Sequence, residues 1–126
     1  MHYISILSLL INVTAYANES TWLCIGEQLA TVSEKDGVTN SDSLRNNDKF
    51  IISEEGLRRF GLGDMVSLDH CERAKDGRPT LCKRSGDRWG GTFIMTENNA
   101  FFKSGVGKSL DGATQFYWVV GMCSEL

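Results

Sequence analysis

The chain has 126 residues, 13 Lys+Arg against 16 Asp+Glu, a net charge of −3, and a hydrophobic fraction of 41%. That length holds one domain with a modest core. The mixed, slightly acidic balance lacks the clustered positive surface that nucleic acid or an anionic membrane requires.

Residues 1–17 read as a secretory signal peptide. Ile4 to Val13 is a short apolar run, and Ala15-Tyr16-Ala17 has the small-x-small form of a cleavage site, which places Asn18 at the mature N-terminus. No Lys or Arg precedes the run, a departure from the usual pattern. It falls short of the roughly 20 apolar residues that span a bilayer, so no membrane span remains after cleavage. Residues 18–126 are then a single domain in the periplasm or outside the cell.

In chain order, Thr21 to Ile25 is a first strand bounded by Gly26, and Leu29 to Ser33 a second, stopped by the turn Lys35-Asp36-Gly37. The polar stretch from Val38 to Asp48 reads as a surface connection. Lys49 to Ser53 is a strand by its β-branched and aromatic content. Ser53 is placed to cap one or two helical turns, with Leu57 and Phe60 spaced i, i+3 and with Gly61 and Gly63 as the stop. Met65 to Leu68 and Pro79 to Cys82 are further strands, with a turn at Ser85-Gly86-Asp87. The last third, Trp89 to Cys123, holds most of the chain's aromatics and therefore most of the expected core. It reads as strands over Thr92–Thr96, Ala100–Lys103 and Thr114–Val120, with Glu97-Asn98-Asn99 as a hairpin loop. Phe116, Trp118, Val120 and Met122 share one face of the last strand, and Tyr117, Val119, Gly121 and Cys123 the other. Short strands between Gly, Asn and Asp turns predict a mainly β fold, a small antiparallel barrel or sandwich with at most one short helix.

Cys24, Cys71, Cys82 and Cys123 in a small exported domain read as two disulfides. Of the three possible pairings, Cys71–Cys82 with Cys24–Cys123 is favoured. The first pair flanks the turn Lys75 to Pro79, and the second ties the first strand to the last.

Several motifs invite a chemical reading. Gly105-Val106-Gly107-Lys108-Ser109 resembles the end of a phosphate-binding loop, but Phe102 stands where the leading glycine belongs and a strand follows instead of a helix; a Gly/Ser hairpin loop is the better account. Asp69-His70-Cys71-Glu72 gathers groups with metal-binding or catalytic chemistry. It lacks the paired Cys or His spacing of a zinc site, and an oxidised Cys71 is no nucleophile, so a surface histidine beside a disulfide is expected. Glu54 and Glu55 are adjacent, which does not set two carboxylates across a cleft. Lys83, Arg84 and Arg88 near Trp89 form a small basic-aromatic patch, read as a solvated hairpin tip. No cofactor and no metal is expected.

Cys24 with Gly26-Glu27 and Ala30-Thr31, then Lys49-Phe50-Ile51-Ile52, the Cys71/Cys82 pair, Phe93-Ile94-Met95 with Phe101-Phe102, and the ending Gly121-Met122-Cys123-Ser124 together resemble a family of small exported Gram-negative bacterial proteins of unknown function. That likeness implies export and a mainly β fold, and no activity. A weaker likeness is to periplasmic lysozyme inhibitors of the small β-barrel type, whose Ser-Gly loop enters the lysozyme cleft. Lys103-Ser104-Gly105 with Lys108 stands in a comparable late loop ahead of Trp118, although Val106 and Gly107 replace the aromatic and basic residues of that family. The likeness implies Ser104, Gly105 and Lys108 as binding residues.

The expectation is therefore a non-enzymatic binding module whose partner is a protein or a cell-envelope component. The alternatives are a small hydrolase using His70 with Asp69 or Glu72, and a structural or assembly subunit.

Overall fold

The computed structural model describes residues 20–61, 66–85 and 91–126. The expected signal peptide, Met65 and the part of the basic-aromatic patch at Arg88 and Trp89 lie outside them.

The described residues form ten strands and no helix. β1 (Trp22–Lys35), β2 (Val38–Arg45), β3 (Lys49–Ser53), β4 (Gly56–Arg59) and β5 (Val66–Leu68) make up the first half of the chain. β6 (His70–Arg73), β7 (Pro79–Lys83), β8 (Thr92–Met95), β9 (Ala100–Lys108) and β10 (Thr114–Glu125) make up the second. They form one antiparallel sheet in the order β5-β4-β3-β1-β10-β9-β8-β7-β6, with β2 added against β1. β5 and β6 stand at opposite ends of that order, yet only Asp69 separates them in sequence. The sheet has curled until its edges meet, giving a nearly closed barrel. At the seam Asp69 accepts hydrogen bonds from the Ser85 hydroxyl and from the Ser85 backbone N–H at 2.7 Å. These bonds hold its carboxyl below the usual range. Arg73 stitches the β6–β7 hairpin to the start of β1, donating to the carbonyls of Ser20 at 2.9 Å and Gly77 at 2.7 Å.

Where two strands were expected at the N-terminal end there is one, fourteen residues long and broken by a bulge between Gly26 and Gln28. Before the bulge Trp22, Cys24 and Gly26 face inward; beyond it Leu29, Thr31 and Ser33 are the half-buried positions. The extra residue reverses the alternation, which is why the stretch reads as two segments. The bulge also changes β1's neighbour: Trp22–Ile25 pair with β3, and Gln28–Lys35 pair with β2. Gly26 is required there, since a Cβ would sit 2.3 Å from Asn46 Oδ1 and 2.7 Å from Val119 Cγ1.

Two further expectations are corrected. The surface connection from Val38 is the strand β2, whose eight residues are all exposed. It is held by its ladder to β1 and by the Asp36-Gly37 turn, both residues left-handed at φ 51° and 82°, the form that suits a two-residue hairpin. The helical turn after Ser53 is instead a tight β turn: Ser53 Oγ accepts from Glu55 N–H at 3.3 Å, and β4 follows. Leu57 is buried in the core and Phe60 exposed, so the i, i+3 pair shares no face. The Lys35-Asp36-Gly37 turn and the Glu97–Asn99 hairpin loop form as expected.

Both disulfides form as favoured, Cys24–Cys123 and Cys71–Cys82, each joining residues directly opposed in neighbouring strands. Two disulfides mark an oxidising, extracellular or periplasmic setting. The core is less local than the aromatic-rich last third suggests. Trp22, Phe50, Ile52, Leu57 and Leu68 come from the first half and pack with Phe93, Met95, Phe101 and Val119. Phe101 is central, stacked on Phe93 at 5.5 Å between centroids and edge-on to Phe50 at 5.9 Å. Phe102, Phe116 and Trp118 point outward from β9 and β10 and are exposed.

The disulfides close loops of very different length, with sequence separations of 99 and 11. Replacing Cys24 and Cys123 together by Ser is expected to lower the unfolding free energy by about 4–5 kcal/mol, and replacing Cys71 and Cys82 by about 3 kcal/mol. Urea titration of the two double variants checks the order as well as the size.

Candidate functional site

The inward rows of the barrel change character from one end to the other. Met95, Phe101 and Gly121 stand side by side at the apolar end. One row on come Phe93, Lys103, Val119 and Leu29, and beyond them Gly105, Tyr117 and Thr31. Gly105 has no side chain, and the Tyr117 ring lies over it: a Cβ there would sit 2.3 Å from Tyr117 Cζ. Above this row the described residues leave the barrel unfilled. A cavity of about 360 Å3 opens there, walled by the apolar Leu29, Phe50 and Val119 with the Tyr117 ring. Its polar lining is Thr31 from β1, Asp48 before β3, Arg59 from β4, Ser67 from β5, Lys103 from β9 and Gln115 from β10. This matches a ligand site in size and make-up, mostly apolar with a few convergent polar groups.

Lys103 is the unusual member. Only 5% of its surface is exposed, in a position that alternation along β9 places on the same face as Phe101. Its Nζ lies 5.5 Å from the Phe50 ring centroid and 5.6 Å from that of Tyr117, a cation held between two aromatic faces. Among the described residues no carboxylate or hydrogen-bond acceptor pairs with it. Burial pushes its pKa below the ordinary 10.5, the charge of Arg59 pushes the same way, and Asp48 opposes both. No close bond joins Asp48 to Lys103, and the Asp48 oxygens make their short contacts elsewhere. Oδ1 accepts from Arg59 Nη2 at 2.6 Å and Oδ2 from Asn46 Nδ2 at 3.2 Å.

The residues singled out from the sequence lie elsewhere or have other roles. Ser104, Gly105 and Lys108 belong to strand β9, so the Gly/Ser loop expected over 105–109 is confined to the turn beginning at Ser109. Ser104 Oγ accepts from the Thr92 N–H at 3.1 Å, bracing β8. Gly105 seats Tyr117, and Lys108 is exposed near the strand's end. His70 is exposed on β6, and Asp69 beside it is committed to Ser85. Among the described residues no group of three or more His, Cys, Asp or Glu is arranged to hold a metal ion. Asp48 and Arg59 carry no signal in the sequence, and Lys103 enters there only within Lys103-Ser104-Gly105, not as a buried group. The available signal was the Phe101-x-Lys103 spacing, which puts the lysine on the buried face once β9 is known to be a strand.

Compared with family models, curated proteins and solved structures, the chain finds no match in any of the three.

A lysine whose folded pKa is below its unfolded value weakens the fold while both states are protonated. That penalty fades as pH rises from the folded pKa toward 10.5. Lys103→Met is therefore expected to raise stability at neutral pH by about 1 kcal/mol, the scale of a buried polar group without a partner. The gain should shrink near pH 10, read from urea midpoints of both proteins at the two pH values.

Proposed function

We propose that this protein is an exported, non-enzymatic binding module that receives its ligand in the open end of the barrel. The ligand is a cell-envelope component or a protein segment narrow enough to enter the mouth. One observation carries the reading: Lys103, 5% exposed and without a polar partner among the described residues, lines a cavity of about 360 Å3. A largely buried ammonium held between two aromatic rings is less well solvated than in water, and a ligand bearing an acceptor group would complete its shell on entering. The disulfide frame supports the exported setting, and the apolar signal-like run from Ile4 to Val13 agrees with it.

The test is to recover the protein from the producing cell's exported fraction and examine it by native mass spectrometry, beside Thr31→Trp, which plugs the mouth. Wild type should retain a small bound species that the plugged variant lacks. Equal retention by both proteins, or no bound species and no envelope component that saturates the wild type alone, removes the cavity from the function.

A further inference from the structure

We infer that the ligand of this cavity is a monocarboxylate with an apolar body, its carboxylate seated between Lys103 and Arg59; this rests on the reading of the cavity as the binding site. The charges of the lining lead there. Among the described residues of the lining, Lys103 and Arg59 bring two positive charges and Asp48 one negative, a net of one positive charge. Asp48 is bonded to Arg59 at 2.6 Å, which leaves the Lys103 ammonium without a close counter-ion among the described residues. A monoanion restores neutrality; a phosphate dianion overshoots it and a cation adds to the repulsion. Arg59, with its side chain 46% exposed, spends Nη2 on Asp48 and has guanidinium donors left over for a planar two-oxygen acceptor.

The rest of the lining describes the rest of the ligand. Leu29, Phe50, Val119 and the Tyr117 ring offer apolar walls, and among the described residues the lining holds no charged side chain besides Lys103, Arg59 and Asp48. A body of aromatic or short alkyl character fits that surface. The neutral hydroxyl and amide groups of Thr31, Ser67 and Gln115 complete the polar part of the lining. Binding strengthens the ammonium form, since the carboxylate opposes both effects that lower the Lys103 pKa, its burial and the charge of Arg59. With the facing groups Arg59, Asp48 and Tyr117 included, affinity falls as pH rises through the Lys103 pKa, at lower pH than an ordinary lysine would give.

The probes are phenylacetate, phenylacetamide and phenethylamine, one skeleton with an anionic, a neutral and a cationic head. N-acetylphenylalanine joins them as a mimic of a peptide's C-terminal carboxylate. Each is titrated into the disulfide-intact protein and followed by amide and side-chain NMR shifts at Lys103, Tyr117 and Phe50. Phenylacetate is expected to bind about tenfold more tightly than phenylacetamide, the scale of one charge-assisted hydrogen bond, and phenethylamine not at all. Lys103→Gln should bring phenylacetate to the level of the amide. Arg59→Gln, at a more exposed site, should weaken phenylacetate alone and serves if Lys103→Gln fails to fold. Preference for N-acetylphenylalanine over phenylacetate assigns the carboxylate to a peptide terminus, and the reverse to a free acid; either outcome supports the class. Equal binding of acid and amide at the cavity overturns the carboxylate and leaves the cavity as a site. No shift at the cavity residues with any probe overturns the carboxylate and counts against the cavity too.

Discussion

The ladder between β1 and β10 is the constraint from which the rest of the structure follows. It joins the start of the described chain to its end, from Trp22 opposite Glu125 to Glu34 opposite Thr114, and Cys24–Cys123 fixes its register covalently. Every other strand takes its place from these two: β3 and β2 share the outer edge of β1, and β9, β8, β7 and β6 follow from β10. The bulge after Gly26 makes a single strand serve both ends of the barrel. Cys24 and Leu29 are an odd number of residues apart and cannot face the same side of a regular strand. The inserted residue lets Cys24 reach Cys123 inside the core while Leu29 and Thr31 turn toward the cavity. At the same point Gly26 N–H donates to Asp48 O at 2.7 Å and Asn46 N–H to Glu27 O at 3.0 Å. The bulge that redirects β1 thus also anchors Asp48, the carboxylate that holds Arg59 at the cavity.

The fold was legible wherever sequence and physics point the same way locally. The two disulfides, the Asp36-Gly37 and Asn98-Asn99 turns and the two-faced last strand belong to that group, because each depends on residues close in sequence or on a closed topology. The misreadings have particular causes. A bulge reverses the alternation within β1 and splits it on paper. β2 buries no side chain and so has no apolar period to detect. Gly56, at φ 123°, makes the tight turn that lets Leu57 enter the core as a strand residue rather than on a helix face. The aromatic-rich last third overstates its share of the core because aromatic content does not show which face of a strand is covered. Phe102 and Trp118 sit one residue from buried Phe101 and Val119 and are 45% and 42% exposed.

The site was less legible than the fold for a deeper reason. A lysine in a sequence reads as surface, since burying its ammonium without a partner is costly. Only the register of β9 against β8 and β10 shows that Lys103 lies in the row of Phe93, Val119 and Leu29. Gly105 was visible as a motif glycine, but its role is to leave room for the Tyr117 ring, a contact made across the ladder.

The ladder neighbours of Lys103 on the buried face, Phe93, Val119 and Leu29, are apolar and would suit an aliphatic residue better than an ammonium. Among the described residues the ammonium instead meets only the rings of Phe50 and Tyr117, beside a cavity that they leave open. Such a choice is tolerable only if stability comes from elsewhere. The Cys24–Cys123 closure supplies it, because a loop of about a hundred residues is worth about 4–5 kcal/mol, against about 1 kcal/mol for one unpaired polar group. Rigidity follows from the same source. The bridge sits at the apolar end of the barrel, with Phe101 and Gly121 between it and the cavity, so the strands are held in register at the end away from the cavity. The fold thus concentrates its covalent and apolar stability at one end and places its buried lysine and open cavity at the other.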